Sequence, residues 1–270
     1  SSQNGYRHFM GIRGLARHNG ARGDHTAARS PDEPAAEAWP HVALGDPISS
    51  GRDADVFALD DDRVLRRNRS GRSTAVEASI VRHVTAHGFP APLVFRAEGP
   101  DLEMERLQGP TLLQSLVADQ TSLREAARIL ADLHTQLHTI PAIDLPGRPA
   151  LVGEVVVHLD LHPANVILTE AHGPSVVDWV NARAGSAALD VAMTALIIAE
   201  VAADSDGEYS EAARAVLVAF LADAGVDPLP ALAEASRMRS CDPSLVIGER
   251  DLVPVAAALV RHFASAVRLD

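Results

Sequence analysis

The sequence predicts an α+β chain of two lobes, a small antiparallel sheet with one main helix followed by a larger, mostly helical lobe. Three observations carry this. Short alternating apolar runs bounded by turn residues are confined to the stretch from His41 to Leu107. Apolar residues at helical spacing dominate after Gly109-Pro110. The 270 residues, 47% hydrophobic and 22% charged, are enough for two lobes with buried cores.

Taken in order, residues 1–38 are rich in Ser, Gly, Arg, His and Pro without either periodicity, and read as a flexible arm or an expression remnant. Residues 39–108 form the first lobe. Val42–Leu44, Asp55–Leu59 and Arg63–Arg66 are strand candidates, the last two joined across Asp60-Asp61-Asp62 as a hairpin. A helix is predicted from Thr74 to His87, with Ala75, Ala78, Ile80, Val81 and Val84 as its apolar stripe, ended by Gly88 and Pro90. Leu93–Ala97 and Asp101–Leu107 complete the sheet.

Residues 109–270 form the helical lobe. Ser122-Leu123-Arg124-Glu125 has the form of a capping box and opens a helix whose stripe runs from Leu123 to Ile140. Three brief strands follow at Val155–Val157, Val166–Leu168 and Val176-Val177, each carrying a loop. Helical patterns then occupy Leu189–Ala203, almost without a polar face, and 210–224, 229–238 and 252–267.

The net charge of −12 speaks against a nucleic-acid partner, which requires basic patches, and favours a cationic or neutral substrate. Every one of the 24 basic residues is arginine. Cys241 is the only cysteine, so no intramolecular disulfide forms and a reducing cytoplasm fits. No signal-peptide pattern opens the chain and no apolar run is long enough for a membrane span, so a soluble protein without a membrane partner is expected.

The stretch that carries chemistry is His158-Leu159-Asp160-Leu161-His162-Pro163-Ala164-Asn165, followed thirteen residues after Asn165 by Asp178 in Val176-Val177-Asp178-Trp179. Two acids and an amide on successive strand ends suit a shared hard cation, and phosphoryl transfer needs Mg²⁺ held against phosphates with a carboxylate beside the attacking hydroxyl. The same residues allow another reading, a transition-metal hydrolase using His158, Asp160 and His162 from one strand face.

This stretch resembles the pattern H-G-D-L-H-P-x-N, with Val177-Asp178-Trp179 similar to I-D-W, of the aminoglycoside phosphotransferase and choline kinase-like family, which has the protein-kinase-like fold. The resemblance covers residues 41–265 and implies an ATP (or GTP) and Mg²⁺ site between the lobes. It implies Asp160 as catalytic base, Asn165 and Asp178 as metal ligands, and His158, His162 and Asp190 as supports of the loop. It places Gly51 in the phosphate-covering loop, Glu105 and Leu107 at the adenine-facing hinge, and Glu77 as the helix acid.

Arg66 stands where the family has lysine, and Leu159 where it has glycine. Guanidinium is planar and forked where ammonium is a compact point charge, so the first exchange is not conservative. Two expectations follow from the resemblance: a phosphotransferase acting on a small-molecule hydroxyl, aminoglycosides among the acceptors, or a nucleotide-binding regulatory protein with little turnover. The acidic run Asp204, Asp206, Glu208 and Glu211 is either a receiver of polyamine or a solvated loop.

Overall fold

The computed structural model describes residues 44–51, 54–144, 154–204, 209–243, 245 and 247–267. The expected arm, the start of the first strand candidate, Arg52, Asp206 and Glu208 lie outside the described residues.

The first lobe is a five-stranded sheet of β1 (Ser49–Ser50), β2 (Ala54–Ala58), β3 (Arg63–Asn68), β4 (Val94–Glu98) and β5 (Asp101–Glu105), in the order β1-β2-β3-β5-β4. All neighbours are antiparallel: short hairpins join β1–β2, β2–β3 and β4–β5, and β5 returns beside β3 after a helix and β4. Between β2 and β3, Asp60 accepts the Asp62 N–H at 2.9 Å and so builds the turn with its own side chain. Period-two alternation puts Val64, Arg66 and Asn68 on one face of β3, and Arg66 is buried there.

Helix α1 (Ala75–Ala86) turns Glu77, Ala78, Ile80, Val81 and Val84 inward. Gly88 ends it at φ +79°, a conformation only glycine adopts without strain, and the Phe89 N–H returns to the Val84 carbonyl at 3.0 Å. That return sets Phe89 edge-on to Trp179 of the second lobe, with ring centroids 5.6 Å apart.

The crossing at Gly109-Pro110 is docked rather than free: Leu168 donates to the Pro110 carbonyl at 2.9 Å. Gly109 has φ +150°, and a Cβ there would lie 2.0 Å from the Leu168 carbonyl oxygen. The helix α2 (Leu112–Val117) begins with a full capping box, Thr111 and Gln114 each bonding the other's backbone N–H. At Ser122, where the sequence suggested such a box, the side chain accepts the Glu125 N–H to open α3 (Leu123–Leu137).

Two small ribbons follow, β6 (Val155–Val157) with β9 (Arg183–Gly185), and β7 (Val166–Thr169) with β8 (Gly173–Val176). Helices α4 (Ala187–Ala203), α5 (Ser210–Asp223), α6 (Leu232–Ser240) and α7 (Ile247–Val267) complete the lobe. The lack of a polar face on α4 is explained by its place: residues from Leu189 to Ala202 are almost all buried between the other helices. The last helix starts five residues before the predicted Leu252 and contains Pro254. Among the described residues no helix is long and apolar enough to cross a membrane.

Replacing Gly109 by Ala forces the crossing away from Leu168, because the contact is with backbone that cannot swing aside. A loss of about 2 kcal/mol or more is expected. Chemical denaturation of the variant checks it.

Candidate active site

A cleft of about 1340 Å³ runs between the lobes and is lined by Gly51, Arg66, Glu77, Glu105, Leu107, Asp160, His162, Asn165 and Asp178 among others. Thus the residues singled out from sequence, apart from the fully buried His158 and Asp190, face one cavity.

The loop after β6 explains how Asp160 is presented. Leu159 takes φ +63°, the left-handed region, and its side chain is 5% exposed. Glycine would enter this conformation freely, whereas leucine is strained by about 1–2 kcal/mol. Asp190, in the first turn of α4, accepts the Leu159 N–H at 2.7 Å, the His158 N–H at 3.1 Å and His138 Nε2 at 3.0 Å. Burial alone would raise its pKa, but the His138 hydrogen bond, the nearby imidazoles and the Leu159 N–H outweigh it and hold the carboxyl well below the usual range.

His158 spends both ring nitrogens on backbone: Nδ1 accepts the Asp160 N–H at 3.2 Å, and Nε2 donates to the Val177 carbonyl at 3.2 Å. Burial pushes its pKa down, consistent with this neutral tautomer. Hence His158 has no lone pair for a metal. Residues 158–162 also lie in the loop after β6, not on a strand face, which removes the basis of the hydrolase reading.

Pro163–Asn165 form a single 3₁₀ turn whose first N–H groups are met by His162, with Ala164 N–H to Nδ1 at 3.3 Å. The turn delivers Asn165, whose amide nitrogen donates to the Asp160 carbonyl at 2.9 Å and reaches its carboxylate at 3.3 Å. His162 Nε2 lies 3.7 Å from that carboxylate, and burial pushes the His162 pKa down to about 3. Asp160 itself is pushed up to about 8, first by burial and then by Asp178, against the opposing charge of Arg239.

Asp178 follows β8 at φ +63°, with its side chain 40% exposed to the cleft. Arg66 reaches it from the first lobe. One guanidinium nitrogen of Arg66 donates to Glu77 at 2.9 Å and Asn68 at 3.0 Å, and the other to Asp178 at 3.2 Å. Arg66 of β3 therefore pairs with Glu77 of α1 and also holds Asp178. Trp179 beside it is buried, its indole N–H on the Val176 carbonyl at 3.0 Å and its ring 4.8 Å from that of His158.

At the hinge, the Glu105 N–H is committed to the Leu93 carbonyl at 2.8 Å, and its carboxylate to Leu93 N–H and His172. That N–H is not free for a base edge, which leaves the Glu105 carbonyl as the backbone group it could offer there. The Leu107 peptide has no hydrogen-bond partner among the described residues. Gly51 donates to the Ala54 carbonyl at 2.9 Å across the β1–β2 turn, facing the same cleft.

Sequence reasoning missed the cluster at the other end. Arg239 of α6 binds Glu200 of α4 bidentately at 2.9 and 3.0 Å and Asp242 at 3.3 Å, all three lining the cleft. Burial raises the Glu200 pKa despite the opposing Arg239. A second acid, after Asp190, in an otherwise apolar helix was the available signal. Of the acidic run, Asp204 lines the cleft, while Glu211 sits in the first turn of α5 and does not.

The architecture places the chain among kinase-like folds. A choline/ethanolamine kinase family protein from Mesorhizobium loti superposes with TM-score 0.51 at 16% identity, covering 86% of this chain and 96% of that one. The gentamicin complex of APH(2'')-IIa gives TM-score 0.50 at 16% identity, over 82% and 92%. A thermostable APH(4)-Ia with ADP and hygromycin B gives 0.51 at 16%, over 82% and 94%. No curated protein matches significantly in sequence. The model of the phosphotransferase enzyme family matches residues 45–154 and 145–233, and the chain belongs to that family.

Two predictions test the loop. Leu159→Gly relieves left-handed strain of about 1–2 kcal/mol but empties a buried leucine site worth about 2–5 kcal/mol, so it destabilises on balance. Leu159→Ala loses the packing yet keeps the strain, and denaturation should rank it below Gly by about 1 kcal/mol.

Asp190 sets an acid limb. Its carboxyl titrates lower folded than unfolded, so its contribution is present above the unfolded carboxylate range near pH ~4 and fades as pH falls below about 5. Thermal melts from neutral to pH ~2 should show a smaller pH-dependent drop in Asp190→Asn, on a lower baseline.

Proposed function

We propose that this protein transfers the terminal phosphate of ATP, or GTP, to a hydroxyl of a small molecule. What carries the proposal is the convergence of Asp160, Asn165 and Asp178 on one cleft, next to the Arg66–Glu77 pair. Asp160 orients and accepts the proton of the attacking hydroxyl; its raised pKa reflects first its burial and then the nearby Asp178 carboxylate, opposed by Arg239.

The donor set fits Mg²⁺. Asn165 turns its amide nitrogen toward Asp160, which leaves Oδ1 for a cation, and Asp178 adds a part-exposed carboxylate. Both are hard oxygen donors, and a metal bound there would neutralise charge on the phosphate oxygens. Arg66 orients Asp178 and keeps Nε–H and one Nη2–H for phosphate. Leu107 offers its unpaired peptide to the base.

For the acceptor, the described wall opposite the sheet carries Glu200, Asp204, Asp242 and Glu249 against Arg239 and Arg183, an acidic balance suited to an amine-bearing alcohol. Structural neighbours of similar shape were solved with gentamicin and with hygromycin B, which supports including aminoglycosides among candidate acceptors. A second reading, nucleotide binding with little turnover in the cytoplasm, draws on the engagement of Asp178 by Arg66.

Nucleotide consumption measured over a panel of aminoglycosides, macrolides and small alcohols tests the proposal. Asp160→Asn should lower turnover on the responding acceptor by about 100-fold or more while nucleotide still binds. Full activity in that variant sinks the assignment. Tight nucleotide binding by the wild type with no turnover on any acceptor selects the second reading.

A further inference from the structure

Five arginines line the described cleft: Arg66, Arg72, Arg106, Arg183 and Arg239. Four have their guanidinium groups engaged by carboxylate or carbonyl oxygen. Arg66 is bound to Glu77 and Asp178, Arg239 to Glu200 and Asp242, Arg106 to the Asp60 carbonyl, and Arg183 to the Asn181 carbonyl. Arg72 differs. Its guanidinium meets only the Ser70 hydroxyl, at 3.2 Å, and it has no carboxylate partner among the described residues.

Its place is fixed by the same residue that fixes Arg66. The Asn68 side chain accepts from Arg66 through Oδ1 at 3.0 Å and donates to the Arg72 carbonyl through Nδ2 at 3.1 Å. The Arg72 backbone is therefore one side chain away from the Arg66–Glu77 pair, between β3 and α1, and the exposed side chain faces the sheet end of the cleft. Glu77 and Asp178 together outweigh the single charge of the Arg66 they hold. The proposed Mg²⁺ would answer part of that charge, and a further side-chain cation lining the cleft would supply donors to the remaining phosphate oxygens.

We infer that Arg72 is a second phosphate-binding cation of the nucleotide site, taking up the role that Arg66, held by Glu77 and Asp178, fills only in part. This rests on the nucleotide-site reading above. Arg72 would contact the polyphosphate directly, whereas Arg66 acts mainly by holding Asp178. An arginine suits the task, since its fork donates to two phosphate oxygens at once.

The test is titration of the full chain with ATP, ADP and adenosine, the last by competition, for wild type, Arg72→Gln and Arg82→Gln. Arg82 is an exposed arginine of α1 outside the cleft lining. Arg72→Gln should weaken ATP and ADP about tenfold, leave adenosine within about twofold, and reduce the salt dependence of ATP binding. Arg82→Gln should change none of these. Both positions are exposed, so thermal melts should match wild type. Unchanged ATP affinity in Arg72→Gln, or an equal fall for adenosine, overturns the inference and leaves the nucleotide site intact. A wild type that binds no nucleotide sinks the site and the inference together.

Discussion

A loop that leaves regular structure inside a core strands its backbone N–H groups, and each one left unpaired there costs about 1–3 kcal/mol. The Asp190 carboxylate answers that problem for the segment bearing Asp160. It accepts two consecutive N–H groups, from His158 and Leu159, and a third donor from His138, at the N-terminal turn of α4 where the helix dipole favours an anion. Thr194, one turn further along α4, donates to the Leu161 carbonyl at 2.8 Å. Both flanks of Asp160 are thus pinned to one helix. Since α4 is buried on nearly every side, the loop inherits the rigidity of the core.

Once the loop is fixed, its coupling to the rest of the site is a matter of short relays. His158 carries position from the Asp160 N–H to the Val177 carbonyl, immediately before Asp178. Arg66 carries it from Asp178 to Glu77 on α1, across the two lobes. A chain without lysine makes this relay through a planar fork, whose separate nitrogens reach the two carboxylates in a fixed geometry that a compact ammonium does not impose. The geometry makes Arg66 a clamp between the lobes, beside the phosphate-binding role proposed for it. Removing Glu77 would leave the buried Arg66 charge without its buried partner, typically a cost of about 3–5 kcal/mol, whereas Asp178 is part-exposed and its loss leaves the Glu77 pair in place.

The sequence made legible what depends on local pattern. Period-two runs located β2 to β5, the Gly88 stop located the end of α1, and the apolar uniformity of Leu189–Ala203 announced a buried helix. The spacing of Asp160, Asn165 and Asp178 was enough to expect one site. What it hid depends on approach in space. Glu200 and Arg239 stand 39 residues apart on different helices, so nothing local announces their pairing. The fate of the His158 nitrogens could not be read from alternate spacing, because backbone groups rather than neighbouring side chains consume them. Leu159 was visible as a departure from glycine, but only the backbone angle shows why the family prefers glycine there.

The two ends of the cleft use the same device, an arginine held by two carboxylates, and this changes how the net charge of −12 should be weighed. Arg66 answers one of the two charges of Glu77 and Asp178, and Arg239 one of those of Glu200 and Asp242, so about half of the acidity in these clusters is met within the protein. Long-range attraction of a cation by the whole chain is screened within about 10 Å in ordinary salt. For the reaction proposed above, acceptor choice would then be made locally, by which hydrogen bonds the Glu200–Arg239–Asp242 cluster, the proposed acceptor wall, retains when a ligand's amine or hydroxyl enters. The Arg239 charge also opposes the forces that raise the Asp160 pKa. The acceptor wall and the proposed base are therefore one electrostatic unit, and a change in the wall alters both the fit of the acceptor and the readiness of Asp160.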